Sequence, residues 1–255
     1  GIELGVTYID TAIGYGNGKS ETWVGNALQG RRKGLWLTTK VQERDGEKGQ
    51  RQLEESLKRL QTDQVDLIHV HSLLGAEDLA RIEAKGGVLD VLYKLRDQKV
   101  TRFIGVTSHT DPRTLATALG RHDFDCTQMA LNAALVGMAN GKGGMVINKE
   151  LKDSFEHIAF PVAMKKKMGI TAMKVFAQEG LVGAAPIETL IRYSLTLPVA
   201  AAVLGMPQMP FIDENIKLAK AFKPLSKPEM RDLSDRLSKT HKARLDRFFS
   251  NHVDA

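Results

Sequence analysis

Asp10, Tyr15, Lys40 and His71 are of the types that could together reduce a carbonyl group, and each stands at or just past the end of an apolar run. Asp10 closes Val6-Thr7-Tyr8-Ile9-Asp10, and Tyr15 follows in the loop Thr11-Ala12-Ile13-Gly14-Tyr15-Gly16. Lys40 ends Leu35-Trp36-Leu37-Thr38-Thr39-Lys40, and His71 ends Val65-Asp66-Leu67-Ile68-His69-Val70-His71. A free tyrosine titrates near ~10, so one that donates a proton at neutral pH needs a downward shift of roughly 3 units, about 4 kcal/mol. A neighbouring ammonium favours the phenolate and supplies part of that shift. Lys40 is the candidate ammonium, Asp10 the carboxylate that holds it charged, and His71 a neutral imidazole that orients a substrate carbonyl. Each residue alone has an ordinary reading, as a loop aromatic, a helix cap or a surface lysine. Together at the ends of three successive strands they point to one site.

Two other chemistries are considered. Strand alternation puts His69 on the face of His71, one layer below it. His-x-His at a strand end also occurs in metal-dependent hydrolases, with His109 and Asp10 as possible further ligands; a hydrogen-bonded core histidine is the plainer reading. Gly14-Tyr15-Gly16-Asn17-Gly18-Lys19-Ser20 narrowly misses a phosphate-binding loop, because Ile13 stands where the pattern needs glycine. No G-x-G-x-x-G fingerprint is present, so a Rossmann site has no support.

The elements that must position these residues alternate. Strand-like runs fall near 6–10, 35–40, 65–71, 103–108, 126–131, 170–175 and 199–204, with helical patterns between them. Ser20 is placed to cap a helix through Leu28. Leu53, Leu57 and Leu60 make one helical face, as do Val88, Val91, Leu92 and Leu95. Asp111-Pro112 reads as an N-cap with proline at the first helical position, and Pro161 and Pro186 are expected to open two later helices. Strict βα alternation implies parallel strands with right-handed crossovers, and the C-terminal strand ends then form an active-site rim. The expected fold is α/β, a TIM-type (β/α)8 barrel. Seven strands are visible, so the first strand is expected to lie upstream of Gly1, leaving the strands near 6–10 and 199–204 with unpaired edges; a seven-stranded barrel or an open sheet stays open as the alternative. Residues 1–255 are expected to form one N-terminally truncated barrel domain, with 226–255 as a helical extension whose stripe, Leu233, Leu237 and Leu245, packs outside it. The glycine-rich segment Asn132 to Leu151 has no clear period and is expected on the rim.

Composition sets outer limits. The chain has 255 residues, a single cysteine (Cys126) and a net charge of +6. One cysteine rules out an internal disulfide framework. No run reaches membrane-spanning length and no secretory signal is visible, which suits a cytoplasmic protein, although an upstream signal stays open. The basic clusters Arg31-Arg32-Lys33 and Lys165-Lys166-Lys167 lie near expected helix C-termini, where cations complement the dipole. They lack the aromatic interleaving of a nucleic-acid surface.

Asp10-Thr11-Ala12-x-x-Tyr15-Gly16-x-Gly18-x-Ser20-Glu21, then Thr39-Lys40, then Ser56-Leu57-x-x-Leu60 and Asp66-Leu67-x-x-x-His71, resemble the aldo-keto reductases over almost the whole chain. The resemblance implies a (β/α)8 barrel and NADPH-dependent reduction of a small aldehyde or ketone, with NADH as a possible substitute. It implies that Tyr15, Asp10, Lys40 and His71 are the catalytic tetrad, with hydride passing from the nicotinamide to the carbonyl carbon and Tyr15 protonating the oxygen. It further implies that Ser108 and Gln128 hold the nicotinamide carboxamide, with His109 in place of the usual asparagine, and that Glu214-Asn215 contacts the adenine. Gly205 opens the stretch expected at the cofactor phosphates. Three departures stand out. Met173 takes the place of the tyrosine that stacks on the nicotinamide; no Lys or Arg lies between Val199 and Lys217 for a 2′-phosphate; and the family's first strand is not in the chain. A non-catalytic nicotinamide-sensing barrel stays open beside the reductase.

Overall fold

The computed structural model describes residues 1–137 and 154–240. Seven strands lie in one parallel sheet and are hydrogen-bonded in chain order: β1 (Tyr8–Asp10), β2 (Trp36–Val41), β3 (Val65–Val70), β4 (Thr101–Ser108), β5 (Cys126–Ala130), β6 (Gly169–Met173) and β7 (Ala201–Ala202). Their number and order are those the apolar runs predict. The sheet curls into a nearly closed barrel; among the described residues β1 and β7 do not pair with each other. A cleft of about 580 Å³ lies between them, walled by residues such as Tyr8, Asp10, Ala202 and Ile216.

Nine α-helices lie among the described residues: α1 (Lys19–Leu28), α2 (Gly46–Leu60), α3 (Ala76–Ile82), α4 (Val88–Asp97), α5 (Pro112–Arg121), α6 (Phe155–Lys165), α7 (Ile187–Thr196), α8 (Met209–Lys220) and α9 (Lys227–Thr240). The apolar faces of α2, α4, α5 and α6 and the outer faces of the strands form one core that includes Leu37, Leu53, Leu60, Ile68, Leu92, Ile104, Leu115 and Phe155. A second cluster gathers Ala133, Val136, Leu181, Leu190 and Tyr193 around Leu233 and Leu237 of α9, so α9 packs outside the barrel wall. Leu245 lies outside the described residues, as does most of the segment Asn132 to Leu151.

Side-chain caps set the starts of α2, α5 and α6. The Asp45 carboxylate accepts the Lys48 N–H at 2.9 Å to cap α2, and Asp111 accepts from Arg113 and Thr114 ahead of Pro112. Two expectations are corrected. Ser20 does not cap α1: Gly18, at φ 83°, is the cap residue, and the Ser20 hydroxyl pairs with Thr11 Oγ1 at 2.8 Å. The left-handed turn at Gly18 starts the helix early enough to place Ser20 inside it. Pro161 sits within α6 and does not open it, because Ser154 supplies the cap by accepting the His157 N–H. Pro186 does stand at the start of α7, as its cap residue.

The pairing register decides which groups meet. Asp10 pairs with Thr38, Lys40 with His69, and His69 with Gly105. Alternation then turns Asp10, Lys40 and His69 toward the barrel interior. No helix among the described residues is long and apolar enough to cross a membrane.

Candidate active site

The structure brings Asp10, Tyr15, Lys40 and His71 together at the C-terminal rim. The Lys40 side chain is 1% exposed, and its ammonium donates to Asp10 Oδ1 at 2.5 Å, to the Thr11 carbonyl at 2.9 Å and to the Tyr15 hydroxyl at 3.4 Å. Burial opposes that ammonium, but Asp10 and Tyr15 outweigh the penalty and raise the Lys40 pKa above the ordinary lysine value. The ammonium also lies 4.9 Å from the Tyr15 ring centroid. His71 meets the same ring edge-on at 5.8 Å between centroids. Tyr15 can therefore share its hydroxyl with a cation on one side while a substrate oxygen approaches from the cavity.

The residues around this cluster hold it in shape. Glu21, fully buried, accepts from Thr39 Oγ1 at 2.6 Å and from Arg59 Nε at 2.8 Å, tying α1 and α2 to β2 beside Lys40. Asp66 accepts from the Leu37 N–H and from Arg32 and Arg102, far below the rim. Glu21 and Asp66 thus brace the strands that carry the site.

His69 is fully buried and neither ring nitrogen has a partner among the described residues. It fits because the facing residue is Gly105, where a Cβ would come within 2.6 Å of the His69 ring. His71 Nδ1 is likewise buried without a partner. Burial, and then Lys40, hold His69 well below the ordinary histidine range; for His71 burial and Lys40 act first, followed by His109, His69 and Arg44. Both rings are neutral in the folded chain, whereas the unfolded chain protonates them below about 6.5. The unfolded state then binds more protons, so stability is expected to fall as pH drops from about 6.5 toward the depressed folded values. Glu156, whose carboxyl is raised by burial, works in the opposite sense. The urea midpoint should therefore be compared at pH 7.5 and 5.5 in the parent and in His69→Leu. A flatter pH response in the variant is expected; the same response in both would show that His69 is not a buried neutral ring. As metal ligands, His69 and His71 gain no third partner, since the described residues contain no group of three or more His, Cys, Asp or Glu able to hold an ion.

A cavity of about 420 Å³ opens at the rim, lined by Asp10, Tyr15, Gln128, Met173, Lys174, Phe176 and Gly205 among others. Of the residues expected at a cofactor, Gln128, Met173 and Gly205 face this cavity. Gln128 Nε2 also donates to Asp10 Oδ2 at 3.1 Å, which joins β5 to the acid-base cluster. Ser108 and His109 are buried nearby but do not line it; the Ser108 hydroxyl donates to the Leu73 carbonyl at 2.8 Å. Asn215 is buried and lines the cleft between β1 and β7, which adjoins the cavity at Asp10 and Val203. Glu214 is exposed and lines neither space. The sequence reading missed Arg44, which contacts the main chain of His71, whereas Lys174 stands in the cavity wall as its one cation among the described residues. Lys174 directly follows β6, and a position just past a strand end was the available signal; Arg44 has no such mark.

Comparison with known proteins agrees with this geometry. Residues 2–185 match the model of the Aldo/keto reductase family. The "Uncharacterized oxidoreductase YqkF" of Bacillus subtilis is 32% identical over 119 residues, 42% of this chain and 37% of that protein. The chain spans about a third of the length of the curated relatives it matches. Among solved structures, the holo form of aldo-keto reductase AKR11C1 from Bacillus halodurans superposes with a TM-score of 0.74 at 21% identity, covering 94% of this chain and 87% of that one. An aldo-keto reductase from Klebsiella pneumoniae in complex with NADPH gives 0.68 at 21% identity, covering 100% of this chain and 86% of that one. At such identities the likeness to solved structures concerns the fold. The family match covers most of the chain, and with the shared fold it shows that the chain belongs to the aldo/keto reductase family.

Proposed function

We propose that this chain reduces the carbonyl group of a small aldehyde or ketone with a nicotinamide dinucleotide as reductant. The observation that carries the reading is the Asp10–Lys40–Tyr15 chain of contacts, 2.5 and 3.4 Å long, with Tyr15 and Asp10 in the cavity wall. When bound, the nicotinamide supplies the hydride. Tyr15 gives its proton to the carbonyl oxygen; Lys40 stabilises the phenolate left behind, and Asp10 keeps the lysine charged. His71, held neutral, donates a hydrogen bond that orients the carbonyl.

The donor set fits a dinucleotide. Gln128 offers an amide to a carboxamide, Met173 an apolar flank to a ring, and Lys174 a cation to a phosphate, all in one cavity wall. Ser108, His109, Glu214 and Asn215 are assigned to the cofactor by the family motif. The match to the NADPH-bound Klebsiella pneumoniae fold supports NADPH, with NADH as the substitute.

Turnover of butanal and 4-nitrobenzaldehyde with each dinucleotide tests the reading. Nucleotide binding without turnover of either aldehyde would instead mark a non-catalytic sensor. Discrimination between the two dinucleotides is expected to be weak. A charge-assisted hydrogen bond to a phosphate is worth roughly 1.5–3 kcal/mol, and the stretch 200–216 carries no Lys or Arg to make one. Fluorescence titration should therefore give Kd values within about tenfold of each other. A larger preference for NADPH would show that Lys174 or Lys217 reaches a 2′-phosphate, and its loss in Lys174→Met or Lys217→Met would tell which.

A further inference from the structure

Arg44 lies in the loop between β2 and α2, with its side chain 8% exposed, and its guanidinium spends its donors on three separate segments. Nη1 donates to the Gln42 carbonyl at 2.9 Å. Nη2 donates to the His71 carbonyl at 2.8 Å and to the Ser72 carbonyl at 3.1 Å. Nε and Nη2 grip the two oxygens of Asp78 on α3, at 2.9 and 2.8 Å. Gln42 is two residues beyond Lys40, so one planar group spans the ends of the two strands that carry Lys40 and His71. Asp78 also accepts the Leu74 N–H at 3.2 Å, which fixes the far side of the same loop.

His71 needs such a hold. Its Nδ1 has no hydrogen-bond partner among the described residues, whereas many functional histidines are oriented by a partner at that atom. The chain leaves β3 through Ser72, a non-glycine residue at φ 52°, a conformation that costs energy and persists only where neighbours enforce it. Those neighbours are visible. The His71 N–H donates to the Val41 carbonyl at 2.9 Å, the Ser72 N–H donates to Thr107 Oγ1 at 2.8 Å, and Arg44 takes both carbonyls. The main chain of Arg44 is anchored too, because its carbonyl accepts the Val88 N–H at 2.9 Å.

We infer that Arg44, seated by Asp78, is a positioning residue that sets the direction of the His71 imidazole relative to Tyr15 and Lys40. It lines neither the cavity at the rim nor the cleft between β1 and β7. The inference rests on carbonyl reduction at Tyr15. A lysine in its place keeps the charge but cannot reach three carbonyls and a carboxylate at once.

The full-length protein, Arg44→Lys and Asp78→Asn are compared with butanal as the probe. In Arg44→Lys, kcat is expected to fall about 10- to 100-fold, the range that a misplacement near 1 Å produces. KM should stay within about threefold and the Kd for NADPH within about twofold, because uniform binding is untouched. Asp78→Asn keeps the guanidinium but loosens its seat, and a smaller kcat loss is expected. A merely structural buried ion pair would instead lower the urea midpoint and leave kcat per folded molecule at the parent value. That outcome in Arg44→Lys overturns the assignment; if Arg44→Lys does not fold, a parent-like kcat in Asp78→Asn does so. A parent that reduces no aldehyde overturns the proposed reaction itself, whereas an active parent with two parent-like variants overturns only the role of Arg44.

Discussion

Tyr15→Phe is expected to lower the rate of aldehyde reduction by about 10²–10⁴-fold, the usual worth of a positioned general acid, with nucleotide affinity unchanged. The substitution removes one oxygen. The ring keeps its edge contact with His71 and its place below the Lys40 ammonium, so the shape of the cavity is preserved. Lys40 also retains Asp10 and the Thr11 carbonyl, and no buried charge is left stranded. Stability should therefore change little, and the loss should appear in kcat. Single-turnover rates and fluorescence titration of NADPH on the same preparation separate the two effects. Reduction at near-parent rate would remove Tyr15 from the proton-donating role.

Lys40→Met is expected to abolish turnover and to destabilise the fold by about 3–5 kcal/mol, the cost of removing one partner from a buried ion pair. Asp10 is 6% exposed on its side chain and, among the described residues, would keep only Gln128 as a hydrogen-bond donor to its carboxylate. Most natural domains are stable by only ~5–15 kcal/mol, so the shift is large enough to read in a urea midpoint. Asp10→Asn combined with Lys40→Met should recover part of the stability and none of the activity, because the uncompensated charge is then gone. The pH dependence has a definite sign. The Lys40 pKa is raised in the folded chain, so the pair's contribution is complete below the ordinary lysine value and is lost as pH rises through the raised one. A parent whose midpoint falls from neutrality upward, with that fall absent in Asp10→Asn/Lys40→Met, would show that burial outweighs Asp10 and Tyr15 and that the Lys40 pKa is not raised.

Much of the fold was legible because the strands are short runs of β-branched and large apolar residues separated by helical faces. Leu53 and Leu60 on α2, and Leu92 on α4, are buried on the faces their spacing predicts. The site was legible for a related reason: polar residues closing apolar strands must emerge at one rim of a parallel barrel. Asp10, Lys40 and His71 have that mark. What escaped was set by contacts distant in sequence. Ser20 carries the right chemistry for a cap, but a hydroxyl nine residues away, on Thr11, takes its side chain. Arg44 finds Asp78 across 34 residues, and Gln128 finds Asp10 across 118. No local pattern records such pairings, since they depend on how neighbouring loops approach once the barrel has formed.

The unequal support of the three strands beneath the site bears on how the molecule opens. Among the described residues β2 and β3 each have a hydrogen-bonded neighbour on both sides, whereas the three-residue β1 is bonded to β2 alone. Local opening is easier where fewer bonds must break at once, and of these three strands, among the described residues, that is β1. Asp10 sits on that strand, but its two carboxylate oxygens reach Lys40 on β2 and Gln128 on β5 across the barrel mouth. The ion pair and the amide thus act as rivets for β1 in addition to its backbone bonds to β2. In the proposed reaction the charge that prepares the acid also ties β1 to its neighbours at the barrel mouth, so proton transfer and mechanical closure would depend on the same few atoms.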